Sequence, residues 1–285
     1  MIKSVQSAKR VAFQGEPGAY ANLAAREAIP HAQAIPKPSF EDAIEAVKTG
    51  ECDLCIIPVE NSLIGRIADI HHLFPDSGLH IVGEHFLPIH HQLLGLKDAT
   101  LDDVKSVYSQ APALAQCRGI LRDTKLVVHA WYDTAGSAKH VAELGDKSAA
   151  AIASTLAGEF YGLKVLKPDV EDEHHNVTRF LIMSREDDRA PNTGKVVTSF
   201  VFQVKNVPAA LYKALGAFAT NGVNMTRLES YQMGGSFNAT QFYADIQGHP
   251  GAPNVAAALK ELEFQTARMI VMGVYPAHSY RDEYT

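Results

Sequence analysis

The sequence predicts an α/β protein, and three observations carry that prediction. Short apolar runs alternate with segments of helical period from residue 10 to residue 184, which favours parallel βαβ units. A charged stretch containing Pro191 and Gly194, Arg185 to Lys195, then interrupts the pattern without periodicity of its own. Beyond it the elements run strand, helix, strand, strand, helix, strand, the βαββαβ order of a ferredoxin-like unit.

The elements follow in order. Arg10 to Gln14 is a short buried strand, followed by a glycine turn and a helix from about Tyr20. Phe40 to Thr49 carries apolar residues at helical spacing, with Ser39 as its N-cap. Cys52 to Val59 is a buried strand ended by Glu60-Asn61-Ser62, and Glu84 to Leu96 is apolar and extended. Alternation then resumes with strand Val104 to Tyr108, helix Ala111 to Leu121, strand Leu126 to Ala130 and helix Thr134 to Leu144. Strand Ala149 to Ala153, helix Thr155 to Phe160 and strand Thr178 to Ser184 complete the first part. The second part reads as strand Thr198 to Lys205, helix Pro208 to Thr220, strand Asn224 to Tyr231 and a Gly234-Gly235 turn. Strand Phe237 to Ile246, helix Val255 to Glu263 and strand Arg268 to Tyr275 follow. Pro208 suits a first helical turn and Asn221-Gly222 a helix stop. The boundaries expected are a domain at 10–185, a linker at 186–197, a small domain at 198–277 and a tail at 278–285.

Composition narrows the functional classes. The 285 residues are 46% hydrophobic and 20% charged, with a formal net charge of −6, so the chain has no basic field for nucleic acid or an anionic membrane. An anionic substrate must then be held by local donors. No window approaches a membrane span, and Met1 to Arg10 lacks the apolar stretch of a signal peptide. Three cysteines, Cys52, Cys55 and Cys117, argue against a disulfide framework and for a reducing, cytoplasmic setting. Cys52-Asp-Leu-Cys55 has redox spacing but enters an apolar strand rather than opening a helix, so it reads as buried structure. The pairs His71-His72, His90-His91 and His174-His175 lack metal-ligand spacing and read as hydrogen-bonding or surface histidines.

Three polar segments invite chemistry. Gly15-Glu-Pro-Gly18, between a strand and a helix, is either an anion-cradling turn or a plain one. Pro58-Val-Glu60-Asn61-Ser62 ends a buried strand, where open α/β sheets bind ligands, although Asn and Ser there also cap helices. Asn176-Val-Thr178-Arg179-Phe180 leads polar groups directly into an apolar strand. Arg179 at that edge demands a carboxylate, supplied either by an internal Asp or Glu or by a substrate.

These segments, with Ser109 through Gln116-Cys117, occur in the order and at the separations that resemble the prephenate dehydratase family. The resemblance spans roughly Arg10 to Ser184 and rests most heavily on the Glu60-Asn-Ser62 and Thr178-Arg-Phe180 tripeptides. The C-terminal βαββαβ unit resembles an ACT regulatory domain. What the resemblance implies is a pair of α/β lobes like those of a periplasmic solute-binding protein, with the crossover near Glu84 to Leu96 and a return near residue 165. The active site would lie in the cleft, turning prephenate into phenylpyruvate for phenylalanine synthesis without cofactor or metal. Thr178 is implied as the catalytic acid and Arg179 as the carboxylate anchor. Glu60 and Asn61 would line the cleft from one lobe, and Ser109, Gln116 and Asp133 from the other. Gly15, Gly18, Ser62, Asn176 and Phe180 would contact substrate. The family often has Glu at the position of Asp133, and His-Pro-Gln where this chain has Gln110-Ala111-Pro112.

The ACT resemblance implies L-phenylalanine as effector and a homodimer or homotetramer. Asn206, Pro208, Leu211, Asn224, Glu229 and Ser230 are the implied effector contacts. The helix reads Ala209-Ala210-Leu211-Tyr212 where the family has Gly-Ala-Leu-Val, and the strand reads Glu229-Ser230-Tyr231-Gln232 where it has Glu-Ser-Arg-Pro. Two rivals remain: an arogenate dehydratase, acting on the amino analogue, and a non-catalytic sensor, against which Thr178 argues. A scaffold role finds no repeat or heptad to support it.

Overall fold

The apolar runs of the chain become the strands of two sheets. The computed structural model describes residues 2–67, 73–232 and 239–283. The first part holds α1 (Lys3–Ser7), β1 (Arg10–Gln14), α2 (Tyr20–Ala28), β2 (Gln33–Lys37), α3 (Phe40–Lys48), β3 (Leu54–Asn61), β4 (Gly65–Arg66) and β5 (His80–Pro88). A second group follows: β6 (Gln92–Gly95), β7 (Ser106–Gln110), α4 (Ala111–Ala115), α5 (Arg118–Thr124), β8 (Val127–Trp131), α6 (Thr134–Leu144), β9 (Ala149–Ala153), α7 (Thr155–Tyr161) and β10 (Lys164–Lys167). The chain ends with β11 (Val177–Ser184), β12 (Val196–Val204), α8 (Ala210–Thr220), β13 (Met225–Gln232), β14 (Ala239–Gln247), α9 (Pro253–Gln265) and β15 (Thr266–Pro276).

One sheet runs β13-β14-β12-β15-β5-β11-β3-β1-β2, with β4 folded onto β3; the other runs β10-β6-β9-β7-β8. Pairing of β1 with β2 and β3, and of β7 with β8 and β9, is parallel, as alternation predicts. β11 instead lies antiparallel between β3 and β5, and β6 is antiparallel to β9 and β10. These are the strands that carry the chain between lobes. They reach their neighbours without a crossover helix, so nothing turns them parallel. The extended stretch at Glu84 to Leu96 resolves into β5 and β6, the first crossing, and β10 to β11 is the return.

Local chemistry sets most boundaries. Ser39 caps α3 by accepting the Asp42 N–H at 3.1 Å, and α3 buries Ala43, Ile44, Ala46 and Val47 on one stripe. The helix expected over Ala111 to Leu121 breaks into α4 and α5 at Gln116-Cys117, and the Gln116 carbonyl accepts the Asp172 N–H at 2.7 Å. β2 and β10 carry little sequence signal. β2, the edge strand with Pro36, and the lysine-flanked β10 have few buried positions to pattern.

The C-terminal elements have the strand order β13-β14-β12-β15, which is ferredoxin-like. α8 starts at Ala210 rather than Pro208, because Ala209 adopts a left-handed φ of 60°. This unit joins the first sheet where Gly273 of β15 pairs in parallel with Ile81 of β5; a Cβ on Gly273 would lie 2.1 Å from the Ile81 carbonyl oxygen. Its outer face packs Phe200, Phe202 and Phe242 under α8 and α9, while Val201, Tyr243 and Tyr275 join the core of the first lobe. The Gly234-Gly235 turn and the His71-His72 pair lie outside the described residues.

Candidate active site

A cavity of about 410 Å³ opens between the two lobes. One wall is Pro58 and Asn61 of β3 with Thr178 and Phe180 of β11; Ile89 and His91 come from the first crossing. Tyr20 of α2 closes one end, and Gln110, Gln116, Tyr132 and Asp133 face them from the second lobe. The mix of apolar walls and few polar groups is that of a small-molecule site.

Strand pairing builds the polar centre. Thr178 and Asn61 are cross-strand partners, so their side chains emerge together on the cleft face. Asn61 Oδ1 accepts the backbone N–H groups of Leu63 and Ile64 at 3.0 and 3.1 Å, which fixes its amide. Asn61 Nδ2 then donates to Thr178 Oγ1 at 3.0 Å and to Asn176 Oδ1 at 2.6 Å. Asn176 Nδ2 continues the line to Gln116 Oε1 at 2.9 Å, in the opposite lobe. Of the residues expected at the site, Thr178, Asn61, Gln116, Asp133 and Phe180 line the cavity, and Asn176 stands directly behind.

Arg179 is elsewhere, and this corrects the expectation that it anchors a substrate carboxylate. Side chains alternate along a strand, so Arg179 leaves β11 on the face opposite Thr178. It is 2% exposed, and its donors reach Glu84 at 2.9 Å, Asp245 at 2.6 Å, Glu60 at 3.2 Å and the Tyr275 hydroxyl at 2.9 Å. Its partner is therefore internal. Glu60 follows the same alternation away from the cleft, and its other oxygen pairs with Arg227 of β13 at 2.6 Å. Burial pushes the Asp245 carboxyl up, but Arg179, Ser199, Arg227 and Arg281 outweigh it and hold it below the usual range. Glu84 is likewise held low against its burial by Arg179 and Arg281.

The glycine turn is also occupied by protein. Gly15 donates its N–H to the Lys37 carbonyl, Glu16 to Asp133 Oδ2 at 3.2 Å, and Gly18 to Asn22 Oδ1 at 3.1 Å. A Cβ on Gly18 would meet Ala157 Cα at 2.5 Å, and Ser154 donates to the Gly18 carbonyl at 2.6 Å. Gly15 and Gly18 thus pack the first lobe on the second rather than cradle an anion. Asp133 serves the same contact: Oδ1 caps α6 through the Ala135 N–H at 2.7 Å while Oδ2 holds Glu16. Ser109 is fully buried and donates to the Ile152 carbonyl at 2.6 Å. Ser62 donates to the His175 carbonyl at 2.7 Å and accepts the Val177 N–H, which ties β3 to the return crossing. Neither Ser109 nor Ser62 lines the cavity, and the hydroxyl of each is engaged by the framework.

Among the cleft residues not expected at the site from the sequence are His91 and Tyr20. His91 is 2% exposed; its Nδ1 lies 2.7 Å from the Tyr20 hydroxyl and its Nε2 2.8 Å from Gln116 Oε1. Burial pushes the His91 imidazole below its ordinary range, against the pull of Gln116 and Glu171. Burial also raises the Tyr20 phenol. The available signal was position, since both residues flank segments already of interest. Next door, His90, Asp169 and Glu171 bring three potential ligand atoms within 4.8 Å, with His90 Nδ1 and Glu171 already 3.0 Å apart.

The expected effector residues do not form one pocket within the chain. Asn206, Pro208 and Leu211 share the turn after β12. Asn224 bonds Gln247, whose strand partner is Val197 at the start of β12, so it sits at the other end of the sheet. Glu229 faces the first lobe, 3.9 Å from Arg66 and 3.7 Å from Arg227, and the Ser230 carbonyl accepts from Arg66 at 2.9 Å.

Comparison with known proteins agrees with this layout. Residues 11–188 match the family model described as Prephenate dehydratase. A Komagataeibacter europaeus protein described as a bifunctional N-acyl-homoserine lactone acylase/prephenate dehydratase is 49% identical over 95% of this chain and 97% of its own length. An Arabidopsis thaliana arogenate dehydratase/prephenate dehydratase is 38% identical over 94% of this chain and 72% of its own. Among solved structures, an Arthrobacter aurescens prephenate dehydratase in complex with L-Phe superposes with a TM-score of 0.86 at 30% identity, covering 94% of this chain and 90% of that one. With the Glu60-Asn-Ser62 and Thr178-Arg-Phe180 segments paired on adjacent strands of one lobe, and with matches of this extent, the chain belongs to the prephenate dehydratase family.

Proposed function

We propose that the chain catalyses the decarboxylating dehydration of prephenate to phenylpyruvate, with Thr178 as the proton donor. The observation that carries this is the Asn61–Thr178 hydrogen bond on the cleft wall. Because Asn61 donates, Thr178 Oγ1 accepts, and the threonine keeps its own proton to give to a ligand in the cavity. Prephenate needs that proton for its ring hydroxyl, which departs as water, and Thr178 takes a proton back from solvent, so one proton is consumed per turnover. The carbon–carbon bond to the ring carboxylate breaks at the same time, its electrons complete the aromatic ring, and CO2 leaves. Aromatisation makes the step downhill, so orientation and one positioned acid are what the protein must supply. The apolar wall of Phe180, Ile89 and Pro58 suits the ring, and withdrawal of the ring carboxylate from water favours its loss.

The C-terminal unit is, in this reading, an ACT domain that binds L-phenylalanine in a homo-oligomer, supported by its ferredoxin-like order and by the L-Phe complex of the Arthrobacter relative. The ligand would sit at the Asn206–Leu211 turn. Calorimetry with phenylalanine on the intact chain tests this, and no heat at millimolar ligand rejects it. A second reading, hydrolysis of N-acyl homoserine lactones, is favoured by the relative that carries both descriptions and spans almost the full chain. Product analysis with prephenate, arogenate and an N-acyl homoserine lactone in parallel decides among them. Phenylpyruvate from prephenate is the expected outcome; turnover of the lactone alone would replace the dehydratase reading.

A further inference from the structure

We infer that His91 is a positioning residue for the acid, held by Tyr20 and acting on Thr178 through Gln116, Asn176 and Asn61. The inference rests on the dehydratase reading and deepens it. The five contacts run without a gap from the first lobe to the second and back: Tyr20 to His91 at 2.7 Å, His91 to Gln116 at 2.8 Å, Gln116 to Asn176 at 2.9 Å, Asn176 to Asn61 at 2.6 Å and Asn61 to Thr178 at 3.0 Å.

Proton bookkeeping gives the chain a direction. Asn61 Oδ1 is committed to two backbone N–H groups, so both hydrogens of its Nδ2 point outward, to Asn176 Oδ1 and Thr178 Oγ1. Asn176 must then present Nδ2 to Gln116, which receives it on Oε1. The same Oε1 faces His91 Nε2, so that nitrogen carries a hydrogen. In the neutral imidazole Nδ1 is then an acceptor; the Tyr20 hydroxyl lies 2.7 Å from it and 2.9 Å from the His90 carbonyl, and its single hydrogen serves one of the two acceptors at a time. The groups packed around the ring are Tyr20 of α2, Gln116 at the C-terminal cap of α4, His90 beside it and Glu171 on the return crossing. The Nε2–H tautomer is the one that fits the amide orientations set from Asn61, and with it every contact from Thr178 to His91 is satisfied.

Placement gives the chain a function beyond packing. His91 lies on the first crossing between lobes, Asn176 on the return, and Gln116 alone represents the second lobe. The line to Thr178 is complete only while Gln116 is brought against both crossings. Asn61 is turned toward Thr178 by its own backbone contacts, and the line from His91 braces it there only when the lobes are together.

The test separates the two nitrogens. His91→Gln keeps an N–H near the Nε2 position, whereas His91→Asn reaches only toward Nδ1, and His91→Leu offers neither. The expected result is a kcat within about fivefold of wild type for His91→Gln and lower by roughly 10- to 100-fold for His91→Leu and His91→Asn, with KM for prephenate changed by about twofold or less. In a Thr178→Ala background the His91→Leu loss should vanish, since both act on one proton. Equal kcat in the Gln, Asn and Leu variants, or a full loss persisting in the Thr178→Ala background, overturns the inference. ¹⁵N NMR of the wild-type histidines provides a readout independent of substrate, with His91 expected as the Nε2–H tautomer; the Nδ1–H form would also overturn it. A wild-type protein inert toward prephenate but showing the Nε2–H tautomer would fault the dehydratase reading and not the hydrogen-bond chain.

Discussion

Thr178 and Arg179 are neighbours on β11, yet their side chains stand on opposite faces of the sheet. Thr178 meets Asn61 at the cleft, and Arg179 meets Asp245 of the C-terminal unit at 2.6 Å. The tripeptide thus divides its work: one residue faces the substrate cavity and the next fastens the C-terminal unit to the strand that carries it.

Arg179→Met tests that division. The variant leaves Glu84 and Asp245 buried without their main counter-charge, and the expected loss is about 3–5 kcal/mol in urea unfolding near pH 8. In the wild type both carboxyls are held below their ordinary range, so their contribution is present above roughly pH 4 and is lost as pH falls through the lowered values. Without Arg179, burial is opposed only by Arg281 and the His278 N–H at Glu84 and by Ser199, Arg227 and Arg281 at Asp245, so both carboxyls should rise and the variant should gain relative stability by protonation in acid. The deficit should therefore narrow between pH 8 and pH 5. A deficit of the same size at both would contradict the ion-pair account.

How much of this was legible beforehand differs by residue. Caps and buried strands follow from short-range pattern: Ser39 and the helix over Thr134–Leu144 appear where the sequence places them. The segments of the cleft were legible as segments. Strand alternation already forbids Thr178 and Arg179 from serving one face, but the partner of Arg179 lies 66 residues further on, where no local pattern announces it. His91 escaped because adjacent histidines look alike in sequence. Only the fold exposes His90 and buries His91. Within the chain Asn224 stands apart from the Asn206–Leu211 turn, because proximity in sequence to a helix end says nothing about which end of the sheet it meets.

The glycine turn gives a second prediction. Gly18→Ala adds a left-handed φ penalty at +90° and a clash with the Ala157 backbone at 2.5 Å; Gly145→Ala has the strained φ of +65° and open space. Thermal melts should show about 1 kcal/mol lost for Gly145→Ala and about 2–4 for Gly18→Ala, with activity lowered only in the latter. Equal losses would mean that Gly18 does not set the contact between lobes.

The cysteines give a third. Burial raises the thiols of Cys55 and Cys117, the latter to about 12, and Cys52 is also buried and raised. A thiol reagent at pH 8 should leave the native protein unlabelled and modify all three after unfolding. Rapid native labelling of the Cys52–Cys55 pair would revive a redox role.

The most direct test of the central claim is turnover of prephenate by Thr178→Ala beside wild type and Thr178→Ser. If Thr178 supplies the proton, kcat falls by about 10²- to 10⁴-fold in the alanine variant with KM nearly unchanged, and serine, which retains the hydroxyl, recovers most of the rate. An alanine variant that forms phenylpyruvate at close to the wild-type rate would contradict the assignment.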